Sequence, residues 1–232
     1  MLNHESELNI EEHFTDTLGF TDQIFLLCHI LGFKFAPRIK DIKDTRIFTL
    51  DGVNVPKIME VSLGNKIREK DIESQWNDIL RLATSIKIGT TQASLIVKKL
   101  AAYPRQNRLA VAIRDLGRIE RTLFILEWLK DPSLRKRVQV GLNKGEARNS
   151  LARAVFFNRL GEVRDRTFED QLCRASGLTL CTAMIILWNT KQLEIAISKA
   201  RTEMEIPDEY LTYLSPLGWS HINLTGDYVW KI

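Results

Sequence analysis

Residues 8–32 read LNIEEHFTDTLGFTDQIFLLCHILG, and this stretch sets the fold class. Ile10, Glu12 and Phe14 alternate with Asn9, Glu11 and His13, a rough strand pattern. Thr15-Asp16-Thr17 falls where the strand should end, and Leu18-Gly19-Phe20 turns the chain. Thr21 is placed to cap a helix whose first turn holds Asp22. Ile24, Phe25, Leu27, Cys28 and Leu31 give that helix an apolar face. A strand-end carboxylate between two hydroxyl residues suits a hard metal ion. The commoner reading of such a stretch is an ordinary turn or capping aspartate, so this stretch alone does not assign Asp16 to a metal.

Working outward, Phe33 to Pro37 (FKFAP) predicts a second short strand ending at a proline. Arg46 to Leu50 (RIFTL) predicts a third, closed by an Asp51-Gly52 turn. From Asp71 the pattern turns helical. Helices are expected over 71–86, from Thr90 or Thr91 to a stop at Pro104, and over 107–129 with a possible break at Gly117. Asp131-Pro132-Ser133 starts a short helix to about Leu142, and 144–160 forms the next one. Further helices are expected over 168–174, 178–200 and 207–214, before an aromatic, turn-rich tail. The class is α+β and mostly α-helical. Two or three strands cannot make a stable sheet with both faces covered, so the sheet must be completed by another chain or by strands this sequence lacks.

Composition places the 232 residues among globular proteins, with 44% hydrophobic and 27% charged residues. The most apolar run, Ala183 to Trp188, is too short for a bilayer and runs into polar residues. The N-terminus has no signal-peptide pattern. Three cysteines without CxxC spacing exclude a zinc site of the usual kind and point to reduced thiols, packed in the core, in a cytoplasmic protein. The net charge of +4 hides an asymmetry: residues 98–174 carry 18 Lys and Arg against 9 Asp and Glu. This block is rich in arginine, whose planar fork matches phosphate. A nucleic-acid surface and a set of solvated, locally paired helix faces both account for it.

The helix KGEARNSLARAVFFNRL (144–160) carries the second carboxylate of interest. At helical spacing Glu146, Asn149, Ser150 and Arg153 share one face, while Ala147, Leu151, Ala154 and Val155 share the buried one. Glu146 would then lie in the first turn, where the helix dipole favours an acid. Paired with Asp16 it suggests part of a two-metal phosphodiester site, which needs at least three carboxylates from separate elements.

Three segments carry a resemblance: HFTDTLGFTDQIFLLCHILGFKFAPRIKD (13–41), NKGEARNSLARAVFFNRLGEVRDRTFEDQ (143–171) and LSPLGWSHINLTGDYVW (214–230). Together they resemble the C-terminal catalytic part of Tn-three family replicative transposases. The resemblance implies an incomplete ribonuclease-H-like core. Residues 1–55 would be the remnant of its sheet, 56–143 a helical insertion, and 144–232 the catalytic Glu helix with the C-terminal helices. It implies that Asp16 and Glu146 are the second and third members of an Asp-Asp-Glu triad that holds Mg²⁺. The implied enzyme nicks transposon ends and joins the freed 3′-OH to target DNA. Its partners would be terminal inverted repeats and target DNA, with a homo-oligomer for the full-length enzyme and no membrane. The first catalytic Asp of the family lies well upstream of the second, and only 15 residues precede Asp16. The expectation is therefore a chain that is inactive alone, its alternative being a non-catalytic DNA-binding or transposase-interacting fragment. Arg38, Arg148, Arg153, Arg159, Arg164 and Arg166 are the candidate DNA contacts. Asp22 is a candidate for the site's surroundings or for helix capping. His13, His29, Trp188 and Asn189 read as packing, and Trp219, Tyr228 and Trp230 as either base stackers or a packed tail.

Overall fold

The computed structural model describes residues 7, 9–102, 107–156, 163–224 and 226. Residues 1–142 and 143–232 form two compact units.

The first unit opens as a β-α-β unit. Strand β1 (Glu12–Thr15) pairs in parallel with β2 (Lys34–Pro37), in the register Glu12 to Lys34 and Thr15 to Pro37. Helix α1 (Asp22–Ile30) connects them. Thr21 takes the N-cap position expected of it, but its side chain makes no capping bond. The exit from α1 is set by Gly32, whose φ of 88° is open to glycine at little cost. There the Phe33 amide donates to Cys28 O at 2.8 Å and the Gly32 amide to His29 O at 3.0 Å, closing a Schellman motif.

The expected third strand does not form. Ile47 makes only an isolated bridge to Leu63. The backbone groups of this segment are satisfied elsewhere. The Ile47 amide donates to Ser62 O, the Gly64 amide to Ile47 O, and the Phe48 amide to the buried hydroxyl of Thr122 at 2.9 Å. The segment is thus paired by a few backbone bonds to 62–67 and by one helix-borne hydroxyl, in place of a continuous ladder.

Helices α2 (Glu69–Lys87), α3 (Ala93–Ala102) and α4 (Arg108–Lys130) follow. The expected stop of α3 at Pro104 lies outside the described residues. Asn107 caps α4, accepting from the Leu109 and Ala110 amides. Two buried clusters hold the unit together. One joins Phe25, Phe35, Ala36, Phe124, Trp128, Leu134 and Val138. Its rings meet edge to face, Phe25 against Phe35 at 4.9 Å and 80°. The other joins Leu26, Ile79, Leu100, Ala112 and Ile113.

Gly117 does not break α4. It is buried inside the continuous helix, where a Cβ would sit 1.9 Å from Asp22 O. Glycine is required because the first turn of α1 lies against the α4 backbone.

Helix α5 runs unbroken from Pro132 to Val155, where two helices were expected. Its start is as read: Asp131 accepts from the Ser133 amide at 2.8 Å, and Pro132 occupies the first helical position. Nothing stops it near Leu142, since 143–145 supply no proline and Gly145 adopts ordinary helical geometry. The C-terminal end expected at Leu160 lies outside the described residues.

In the second unit, α6 (Phe168–Glu203) also merges two expected helices, because Gly177 is carried within it. Thr167 caps it, accepting from the Asp170 amide at 3.1 Å. The merger revises one expectation: α6 contains a stretch long and apolar enough to cross a membrane by length and composition, a test that core helices of soluble proteins also pass. Leu172, Leu180, Leu187 and Ile195 are exposed along it. The short α7 (Asp208–Leu211) precedes the tail. Asn189, buried as expected, donates to Pro216 O at 2.7 Å and Gly218 O at 2.8 Å, and its carbonyl oxygen meets His221 Nε2 at 2.8 Å. Trp188 was expected in the core but is partly exposed, stacked on His221. Cys28 is half-buried, whereas Cys173 and Cys181 are exposed, contrary to the core reading of all three.

Candidate functional site

Asp16 occupies the position its sequence context predicts, one residue past β1 and one before the 3-10 turn Thr17–Gly19. It is exposed. The Gly19 amide donates to Asp16 O at 3.3 Å, so the main chain folds back immediately behind it. Both parallel strands end here. The Arg38 amide donates to Thr15 O at 2.9 Å, and Thr17 Oγ1 donates to Arg38 O at 3.4 Å. The backbone of Arg38 is thus stitched to both neighbours of Asp16. The carboxyl ends of parallel strands are where open α/β sheets place ligands.

A cavity of about 410 Å³ opens at this edge, with Thr17, Arg38, Lys40, Arg46 and Arg121 among its lining residues. Lys40 and Arg46 were not singled out from sequence; they lay in a segment read as polar and irregular and in a segment read as strand. Arg121 reaches the cavity from α4, a long-range placement that no local spacing encodes.

Asp22 stands five residues beyond the turn that bears Asp16, counting from Thr17. Its carboxylate meets Arg121 at 2.6 Å and Arg118 at 3.3 Å. Arg118 also bonds Asp115 at 2.9 Å, and Asp115 is 1% exposed. Arg121 and Arg118 both lie over the Phe48 ring, at 4.8 and 4.6 Å. Burial raises the Asp22 carboxyl above the ordinary carboxylate range despite Arg121 and Arg118, and burial likewise lowers Arg121. Asp22 is therefore a structural anchor, holding the start of α1 against α4. Neither the helix-start reading nor the site-neighbour reading captured this, because its partners lie 96 and 99 residues away.

Glu146 is exposed and lies well inside α5, so the expected first-turn position and its dipole argument are corrected. Its face is as read only in part: Glu146, Asn149 and Arg153 are exposed and Leu151 is fully buried, but Ser150 is half-buried, as are Ala147, Ala154 and Val155. Ala152, at 8% exposure, joins the buried stripe unannounced. Asp16 belongs to the first unit and Glu146 to the second. Among the described residues, no group of three or more His, Cys, Asp or Glu side chains is gathered as a metal site. Both carboxylates offer the hard oxygen donors that Mg²⁺ prefers.

Among the candidate DNA contacts, Arg38, Arg153, Arg164 and Arg166 are exposed and Arg148 is half-buried. Arg159 lies outside the described residues, as do Tyr228 and Trp230. Several arginines of the basic block serve the fold itself. Arg114, Arg118 and Arg121 face Asp22 and Asp115, and Arg135 donates to Trp128 O and Leu129 O at the end of α4. Arg137 pairs with Glu12 at 3.3 Å. His13 stacks on Phe35, and His29 meets Glu120 at 3.1 Å.

Comparison with known proteins adds a second line of observation. The chain is 60% identical to the transposase of transposon Tn501 from Pseudomonas aeruginosa over its whole length, covering 24% of that protein. It is 52% identical to the transposase of Tn1546 from Enterococcus faecium over 98% of the chain and 23% of the relative. It is 36% identical to the gamma-delta transposase of Escherichia coli K12 over the whole chain and 23% of the relative. The chain thus spans about a quarter of the length of these curated relatives. The family model described as the Tn3 transposase DDE domain matches residues 1–228, and the chain belongs to that family.

Proposed function

We propose that this chain is part of the catalytic region of a DNA transposase of replicative transposition. The reaction is metal-dependent nicking at transposon ends, followed by transfer of the 3′-OH to target DNA. The observation that carries this reading is the family match over residues 1–228. In this reading Asp16 and Glu146 are catalytic and hold Mg²⁺. Divalent cations held by such carboxylates activate the attacking oxygen and stabilise the leaving one. The exposure of both side chains, and the place of Asp16 at the carboxyl end of two parallel strands, support the assignment.

Arg38, Arg148, Arg153, Arg159, Arg164 and Arg166 bind DNA phosphates in this reading. The DNA partners are terminal inverted repeats and target DNA, and the whole enzyme works as a homo-oligomer in the cytoplasm. Residues 1–55 are ascribed to a ribonuclease-H-like sheet, 56–143 to a helical insertion, and 144–232 to the Glu helix and C-terminal helices. The two-strand parallel sheet supports an incomplete core, since so small a sheet is not independently stable. In this reading Asp16 and Glu146 are two of the three carboxylates that the chemistry needs.

The experiment replaces the matching quarter of the Tn501 transposase with this chain. Strand transfer on a terminal-repeat substrate with Mg²⁺ is expected from the chimera. Asp16→Ala or Glu146→Ala should abolish it with DNA binding retained. Activity that survives either substitution overturns the assignment of that residue. Nicking by the 232 residues alone, lost on Asp16→Ala, overturns the expectation of inactivity. The alternative, a fragment that pairs with an intact transposase, is favoured by the exposed apolar residues of α6. Co-elution of the chain with the Tn501 transposase in size exclusion, without activity in the chimera, would select it.

A further inference from the structure

The cavity beside Asp16 contains more cationic groups than the fold consumes. Four cations line it: Arg38, Lys40, Arg46 and Arg121. Arg121 is engaged with Asp22, and Arg46 donates to Val61 O at 2.6 Å. Arg38 and Lys40 are exposed and have no ion pair among the described residues. Two acids, Asp41 and Asp44, share the lining, so it keeps a net positive charge. Arg38 does not sit on a wandering loop. Its amide and carbonyl are bonded to Thr15 and Thr17, the residues on either side of Asp16. Arg38 therefore lines the cavity from a fixed backbone edge that adjoins Asp16 in the chain.

We propose that this cavity seats one backbone phosphate of a DNA strand, with Arg38 and Lys40 as its ligands, so that the strand passes beside Asp16. The inference rests on the reading of the chain as transposase. It adds a site that the reading does not contain, with Lys40 as a new ligand and Arg38 assigned to a single phosphate. An oxyanion suits the place: Arg38 can offer a two-pronged contact and Lys40 a point charge. A volume of about 410 Å³ admits the phosphate with its sugar. The contact carries no sequence information, because phosphates are alike along the strand.

The test measures binding of the full 232-residue chain to a labelled oligonucleotide duplex across a salt series. Arg38→Gln and Lys40→Gln should each weaken binding several-fold. Each should lower the log–log salt slope by roughly 0.9, the release expected for one phosphate contact on a duplex. Lys87→Gln, at an exposed end of α2 and outside the cavity lining, should leave the slope unchanged. A set of duplexes with one neutral methylphosphonate each then locates the contact. At one linkage the neutral group and Arg38→Gln should be non-additive.

Wild-type binding with a slope untouched by both substitutions overturns the phosphate site and leaves the transposase reading standing. Additivity at every linkage does the same, and so does an equal loss from Lys87→Gln, which would reflect net charge alone. Competition by millimolar inorganic phosphate at unchanged ionic strength would make the cavity a free-anion site and overturn the DNA assignment. Failure of the wild-type chain to bind any DNA would overturn this site and the reading beneath it together.

Discussion

Alanine at position 117 should destabilise the first unit, although Gly→Ala inside an exposed helix normally stabilises. The ordinary gain is about 0.5–1 kcal/mol, from the backbone entropy that glycine loses on folding. At Gly117 the added methyl would lie 1.9 Å from Asp22 O and 2.6 Å from Asp22 C. An ordinary van der Waals contact needs roughly 3.5 Å or more, so α1 and α4 must part by more than an ångström. The obstacle is backbone, which cannot swing aside as a side chain does. Phe25 and Leu26, buried a few residues further along α1, would be pulled from their clusters with Phe124 and Ile113. Overpacking of this kind costs about 1–3 kcal/mol, and backbone shifts lie at the upper end. The shift also lengthens the contacts of Asp22 with Arg118 and Arg121, which leaves buried charge under-compensated. Net destabilisation of about 2 kcal/mol or more follows from these opposing terms. Gly145 is the matched control, exposed within α5 with nothing near its missing Cβ. Gly145→Ala should raise stability by about 0.5–1 kcal/mol. Urea unfolding followed by circular dichroism and tryptophan fluorescence reads both, with Trp128 reporting from the first unit's core. If Gly117→Ala proves as stable as the parent, the close approach of α1 and α4 is wrong.

Two further predictions concern groups that the chemistry does not use. Burial pushes the Cys28 thiol up to about 11, whereas Cys173 and Cys181 are exposed. At neutral pH a maleimide should therefore label two cysteines rapidly and Cys28 far more slowly; equal rates at all three, read by mass spectrometry of peptides, would contradict the burial. Asn189 binds two tail carbonyls and His221, so Asn189→Leu should leave those groups unpaired at a cost of about 1–3 kcal/mol. Limited proteolysis should then cut after Leu214 sooner than in the parent, and an unchanged digestion pattern would show that the tail is held by other means.

The elements legible from sequence were those whose signals are local. The strand-turn-helix of residues 12–30, the proline-closed β2 and the Asp131-Pro132-Ser133 start all rest on residues within one turn of the feature. The misreadings share a cause. Gly117 was weighed as a break and Gly177 fell between two expected helices, yet both lie inside continuous helices. A helix interior tolerates glycine at about 1 kcal/mol, and only the facing element says whether the position is a weakness or a contact. The segment 46–50 erred in the same way. Ile47 and Phe48 are buried, but the segment's hydrogen bonds go to Ser62, Gly64, Ile67 and the Thr122 hydroxyl, which no local pattern predicts.

The charge asymmetry shows the limit most clearly, because neither reading of it placed arginines in buried pairs. Of the arginines on α4, Arg114, Arg118 and Arg121 turn inward to Asp22 and Asp115. Burial shifts Asp22 and Arg121 each toward its neutral form, and a buried pair of this kind is weak evidence for stability. Such a pair is a poor source of stability but a strict one for geometry: the charges are satisfied only while α1 begins where it does. That start fixes the turn carrying Asp16. The arginines counted as a potential DNA surface thus divide by burial. Arg114, Arg118 and Arg121 of α4 turn toward the acids of the fold, and others of the block, such as Arg153, are exposed. Counting charge could find the block, but only the fold could sort its members, since the sorting acids lie nearly a hundred residues from their partners or three residues along the same helix.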